Sequence, residues 1–205
     1  MSSRKNRKKR EAIVEYPTYE PLLRQVQEYF PRVKRLERKK SDSYRLDAEE
    51  LRKKVSEKTG LLVLTNPHAP SGAIANVGEL KEIMSVANEY DFYVLCDEIY
   101  AEFDRSVIPM LFSVNKSLGI VTTSFTKAYG LGGLRLGIAL AKESLVKELY
   151  SDVVNTIGGS ASIVQLIAAE LLKKDIDTLE KHKQKWASIK RETERWLNEK
   201  GFRYF

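Results

Sequence analysis

Cysteine is nearly absent from this chain, with one thiol, Cys96, in 205 residues. An internal disulfide is therefore excluded, and a reducing, cytoplasmic setting is the expectation. Cys96 closes the apolar run FYVLC, where a buried and inert thiol is expected. Histidine is scarce too. His68 and His182, together with one cysteine, are too scattered to suggest a metal site. No apolar run approaches the ~20 residues that span a bilayer, and the first residues carry no apolar segment of the secretion-signal kind. Neither membrane insertion nor export is expected. What is present is ordinary for a globular domain: 42% apolar residues and a length sufficient for one core.

The formal charge of +7 is unevenly distributed. Residues 1–10 hold six Lys and Arg and no acid, and the remainder carries 29 basic against 28 acidic residues. The body is thus nearly neutral, and residues 1–12 are expected to form a basic, disordered tail. Short basic runs can bind nucleic acid, but a solvated end is the simpler reading, and nucleic acid is not expected as a partner.

Beyond the tail, VEYPTYEP (residues 14–21) reads as a loop of aromatics between prolines, and residues 22–29 as a short helix. Residues 33–38 suit a strand. Asp47, with Glu50 three positions on, opens a helix expected to run to about Gly60. Residues 61–65 (LLVLT) form a continuous apolar run, as in a strand buried on both faces. Asn76 caps a helix to Tyr90. Strands follow at 92–96, 118–124 and 136–141, then helices at 142–154, 160–173 and 175–199. Strands alternating with helices predict an α/β fold, a mainly parallel sheet flanked by helices. Such sheets build their sites where the strands end, and here the unusual chemistry follows Thr65, Cys96 and Ser124.

The segment after the third of these ends reads SFTKAYGLGGLRLG. Lys127 follows an apolar run, with Ser124 three residues before it and Arg135 eight after it, across a glycine-rich turn. An amine in that position can form a Schiff base with a carbonyl cofactor, and a hydroxyl with a guanidinium fork can hold phosphate. Together with Asp97 and Tyr100 in CDEIY, Tyr19 in PTY, and Asn66–Gly72 (NPHAPSG), the chain resembles the pyridoxal phosphate (PLP) enzymes of fold type I, in the class I/II aminotransferase family.

That resemblance implies a set of roles. Lys127 would carry PLP and later move the substrate proton. Asp97 would pair with the pyridinium nitrogen, Tyr100 would donate to the phenolic oxygen, Ser124 and Arg135 would hold the phosphate, and Tyr19 would stack on the ring. The implied activity is transfer of an amino group between an amino acid and a 2-oxo acid, by a homodimer. Ala69 departs from the family's NPxNPTG loop, where a second asparagine contacts the same phenolic oxygen. His68, beside it, is expected to be a loop histidine without a catalytic role.

The resemblance covers about residues 13–200, whereas family members are about twice as long. The expected division is a PLP-binding large domain over 13–175, then an interdomain helix and the start of a small domain over 176–205. The remainder of the small domain and an upstream phosphate-binding turn are expected to be missing. A PLP-dependent lyase, a non-catalytic derivative of the fold and a gene fragment stand as alternatives.

Overall fold

The alternation of apolar runs with amphipathic segments is realised as alternating strands and helices. The structure, a computed structural model, describes residues 9–174 and 176–204. In chain order the elements are β1 (Glu11–Tyr16), α1 (Glu20–Tyr29), β2 (Arg32–Glu37), α2 (Ala48–Arg52), β3 (Thr59–Thr65), α3 (Val77–Tyr90) and β4 (Tyr93–Asp97). Then come α4 (Leu111–Val114), β5 (Gly119–Ser124), β6 (Gly137–Leu140), α5 (Glu143–Ile157), α6 (Ser162–Lys174) and α7 (Ile176–Glu199). One six-stranded sheet has the order β2-β1-β3-β4-β5-β6. Its pairings are parallel except the last, in which β6 runs antiparallel to β5. This is the mainly parallel, helix-flanked α/β architecture expected.

Alternation along each strand divides the core into two layers. Ile13, Leu62, Leu64, Val94, Cys96 and Val121 pack with Leu80, Ile83 and Met84 of α3. Ala12, Val14 and Val63 pack in a second cluster with Val26 of α1. Each fully buried aliphatic side chain of this kind contributes roughly 1.5–3 kcal/mol.

Two expectations need correction. The first concerns β1. Residues 14–21 were expected to be loop and 1–12 a tail, yet a strand runs from Glu11 to Tyr16 between β2 and β3. The part of the tail at residues 1–8 lies outside the described residues. Two glutamates in six positions disguise this strand, because both are buried and both are paired. Glu11 meets Lys34 at 2.7 Å and Arg32 at 3.1 Å, and the hydrogen bond from Lys34 holds its carboxyl below the usual range. Glu15, fully buried, accepts from Thr65 N at 2.7 Å, Thr65 Oγ1 at 2.6 Å and Arg38 Nη1 at 2.9 Å. Burial pushes Glu15 up to about 7, against the pull of Arg38 and Thr65. Its three bonded neighbours are donors, so the bonded form is the carboxylate, reached as pH rises through that value.

The second correction concerns α2, which ends at Arg52 rather than near Gly60. Asp47 does cap it, accepting from Glu49 N and Glu50 N. Beyond Arg52, Ser56 and Thr59 turn their hydroxyls onto the backbone: Ser56 N donates to Thr59 Oγ1 at 3.0 Å and Lys58 N to Ser56 Oγ at 3.2 Å. Such local bonds compete with helix propagation.

The segment from β3 to α3 is anchored at both ends. Asn76 and Glu79 form a full capping box at the start of α3. Upstream, His68 is buried, with Nε2 2.9 Å from Pro17 O and Nδ1 2.6 Å from Ser71 Oγ. A carbonyl can only accept, so Nε2 carries the proton and Nδ1 accepts from the serine. Burial and the nearby Arg38 charge lower the pKa of His68 to about 4.

Two outcomes follow from these anchors. Asn76→Ala should lower stability by about 1 kcal/mol, read from urea denaturation. For His68, the folded chain keeps the ring neutral down to about 4, while the unfolded chain protonates it near 6.5. Stability from this group is therefore complete above pH 6.5 and is lost as pH falls towards about 4. The stability lead of the natural chain over His68→Gln should shrink across that window, and an equal lead at both ends would contradict the assignment.

Candidate active site

Parallel pairing brings the C-terminal ends of β1, β3, β4 and β5 to one edge of the sheet. A cavity of about 130 Å³ opens there, lined by Tyr19, Thr65, Pro67, Ala69, Asp97, Ile99, Tyr100 and Lys127. A larger cleft of about 530 Å³ lies elsewhere, beside α2, with Arg45, Asp47 and Arg52 in its wall. Charges there are paired across the surface, as in Arg45 with Glu79 at 3.1 Å, and no reactive constellation lines it.

Each lining residue is placed by its element. Asp97 is the last residue of β4, and its Oδ1 accepts from Ile99 N at 3.1 Å. Burial raises its pKa, while the bonds from Ile99 and Thr122 oppose the rise. A carboxylate so placed gains from a cationic partner in the cavity. Tyr100 starts the turn after β4. Its ring stacks on Phe103 at 6.5 Å, and Trp186 of α7 meets Phe103 edge-on at 6.1 Å. Lys127 Nζ lies 5.6 Å from the centre of the Tyr100 ring and has neither a hydrogen bond nor an ion pair among the described residues. Tyr19 sits at the N-terminus of α1, its side chain largely exposed at the cavity mouth.

The turn that carries Lys127 is held from both sides. Phe125 and Ala128 are buried, and Leu131 N donates to Phe125 O at 3.0 Å. Gly130 adopts φ +69°, and a Cβ there would lie 3.1 Å from the His182 ring. His182 Nδ1 is 3.2 Å from Ala128 O and donates to it. Helix α7 therefore packs directly on the turn.

Of the residues expected from the sequence, Lys127, Asp97, Tyr100 and Tyr19 share this cavity. Ser124 and Arg135 do not line it. Ser124 ends β5, with Oγ accepting from Thr126 N at 3.1 Å. Arg135 is exposed at φ 52°, and its Nη1 donates to Gly132 O at 3.3 Å. Asn66 is fully engaged in structure: its Oδ1 accepts from Ala75 N at 2.9 Å. Thr65, Pro67 and Ile99 line the cavity as well, Pro67 and Ile99 from within NPHAPSG and CDEIY and Thr65 from the position just before the first of these. His68, expected to be a plain loop histidine, is instead a buried anchor. Among the described residues no cluster of His, Cys, Asp and Glu could hold a metal, and no helix is long and apolar enough to cross a membrane.

Comparison with known proteins places the chain in a family. The model of the family "Aminotransferase class I and II" matches residues 4–203. An aspartate aminotransferase of Pyrococcus horikoshii is 31% identical over 144 residues, which is 69% of this chain and 37% of that protein. Histidinol-phosphate aminotransferase 2 of Carboxydothermus hydrogenoformans is 30% identical, over 84% of this chain and 48% of its own. Among solved structures, a PLP-dependent aminotransferase from Streptococcus suis superposes with a TM-score of 0.85 at 25% identity, over 92% of this chain and 50% of its own. A Thermus thermophilus aspartate aminotransferase mutant complexed with tryptophan reaches 0.87 at 22% identity, over 94% and 51%, a likeness of fold. The chain spans between 37% and 51% of the length of these relatives. It belongs to the class I and II aminotransferase family.

Proposed function

We propose that the cavity at the ends of β3, β4 and β5 is a PLP site and that the chain is the cofactor-binding part of an aminotransferase. The reaction would move an amino group between an amino acid and a 2-oxo acid. The observation that carries this reading is the Lys127 amine, without a hydrogen bond or ion pair among the described residues, facing the same cavity as the half-buried Asp97 carboxylate.

The residues present fit such a group. When bound, PLP supplies an electron sink for a developing carbanion. Lys127 offers the amine that holds an aldehyde carbon covalently and afterwards moves a proton at the substrate α-carbon. Asp97 offers a carboxylate to a ring N–H⁺, and a cation there would reverse the cost that burial imposes on its charge. Tyr100 offers a phenol to an oxygen on the ring, and Tyr19 offers an aromatic face at the mouth. Ala69 brings only its methyl, so the phenol of Tyr100 is the named donor to that oxygen. Ser124, at the end of β5, and Arg135, after the glycine-rich turn, are proposed as phosphate ligands, although neither lines the cavity.

Two copies of the chain are expected to associate. Tyr150 and Ile157 of α5 and Ile163 and Leu166 of α6 are 63–73% exposed, which supports such a contact. Cytoplasmic residence remains the expectation from the single thiol.

Titration with PLP should produce a visible band near ~420 nm that is absent in Lys127→Ala. Asp97→Asn should weaken PLP binding about ten- to hundredfold, the scale of one charge-assisted hydrogen bond. A band of equal intensity without Lys127 would refute the site.

A further inference from the structure

Glu15 is the least expected residue in the sheet. A carboxylate with no exposure in a strand between two others costs several kcal/mol to bury, and an aliphatic side chain would fill the position without that cost. Its bonds lead away from the core, towards the loops. Oε1 accepts from both Thr65 N and Thr65 Oγ1. Because the Thr65 hydroxyl gives its proton to Glu15, its lone pairs are left to accept, and they take Ala69 N–H at 2.8 Å. Oε2 accepts from Arg38 Nη1, whose own Nε donates to Tyr44 O at 2.6 Å.

A second chain of bonds runs beside the first. Ala73 N donates to Ser71 Oγ at 3.2 Å, Ser71 donates to His68 Nδ1, and His68 Nε2–H donates to Pro17 O. His68 Nε2 is 3.9 Å from Glu15 Oε2, too far for a hydrogen bond. With Glu15 ionised, each chain has one possible direction, fixed at one end by a group that can only donate and at the other by a group that can only accept. Between them the chains join two segments, the one that leads from the end of β1 to Tyr19 and the one that runs from Thr65 to Ala73: Ala69 is tied through Thr65 to Glu15 and His68 to Pro17, while the Arg38 branch ends on Tyr44 O. Those segments supply Tyr19, Thr65, Pro67 and Ala69 to the cavity wall.

We infer that Glu15, Thr65, His68 and Arg38 form a positioning cluster that fixes the Tyr19 wall and the Ala69 wall of the cavity relative to each other. Glu15, His68 and Arg38 do not line the cavity and act through the loops; Thr65 lines it and also holds the Ala69 amide. The consequence for cofactor affinity rests on reading the cavity as the PLP site.

Thr65→Val removes the hydroxyl at nearly constant shape, Thr65→Ser keeps it, and Glu15→Gln removes the charge. In the unliganded chain, hydrogen–deuterium exchange at Ala69 N–H should accelerate about tenfold or more in Thr65→Val, because the amide loses its acceptor. Thr65→Ser should exchange as the natural chain does. Amides of β4 and β5 should be unchanged in all three, which separates loop release from general loosening. PLP affinity should fall about tenfold or more in Thr65→Val and Glu15→Gln and recover in Thr65→Ser, the scale of one buried hydrogen bond. Unaltered exchange at Ala69 in Thr65→Val overturns the cluster. Faster exchange with unaltered PLP affinity overturns its bearing on the cavity. If Glu15→Gln does not fold, the Thr65 pair decides. If the natural chain binds no PLP, the functional reading fails, while the exchange arm alone decides whether the cluster holds the two walls.

Discussion

Parallel pairing is the constraint on which the rest of this molecule depends. Four neighbouring strands, β1, β3, β4 and β5, run the same way, so each delivers its last residue to one edge. Tyr16, Thr65, Asp97 and Ser124 are those last residues. Helical crossovers are obligatory in such a sheet, and they cover its faces and leave the edge of strand ends open. The site thus arises from connectivity: reactive groups far apart in sequence meet because every strand stops at the same side.

The same geometry explains where polar groups can be buried. Strand interiors are satisfied by the ladder and filled by aliphatic side chains. At strand ends the ladder stops, and backbone groups of the departing loops need partners. Thr65, Asn66 and Asp97 stand at this boundary and each accepts a backbone N–H from beyond the strand, while Glu15 holds the amide and hydroxyl of Thr65. Glu98, one residue beyond, accepts from Leu111 N at 2.8 Å and so ties the β4 end to the start of α4. Polar residues here replace the missing ladder, and the walls of the cavity inherit their rigidity.

Much of this was legible in the sequence, and the illegible parts share a cause. β3, β4 and β5 announce themselves by continuous apolar runs between turn signals, and α3 by its Asn76 and Glu79 box. Lys127, Asp97, Tyr100 and Tyr19 were recognisable from local motifs, and they meet in one cavity because those motifs follow strand ends. β1 was hidden because EAIVEY shows two charges whose partners, Lys34, Arg32, Arg38 and Thr65, lie on other strands or just beyond them. Neutralisation across a sheet has no signature within six residues. His68 was hidden for the same reason, since its defining bond reaches Pro17, 51 positions away. The end of α2 is not legible in the apolar period, which does not register the local competition from the hydroxyls of Ser56 and Thr59.

The contact between Gly130 and His182 ties two distant stretches of sequence into one unit of variation. Gly130 has φ +69°, and the imidazole lies where a Cβ would need room. A side chain at position 130 would have to be accommodated twice, by the backbone and by α7, and a smaller residue at 182 would relieve only the second demand. Position 130 is therefore closed to drift as long as the turn keeps its shape. Position 182 is free to vary in chemistry, because glycine tolerates many neighbours, though only histidine-like donors keep the bond to Ala128 O. Substitutions should accumulate asymmetrically across this contact: the helix can explore, and the turn that presents Lys127 cannot.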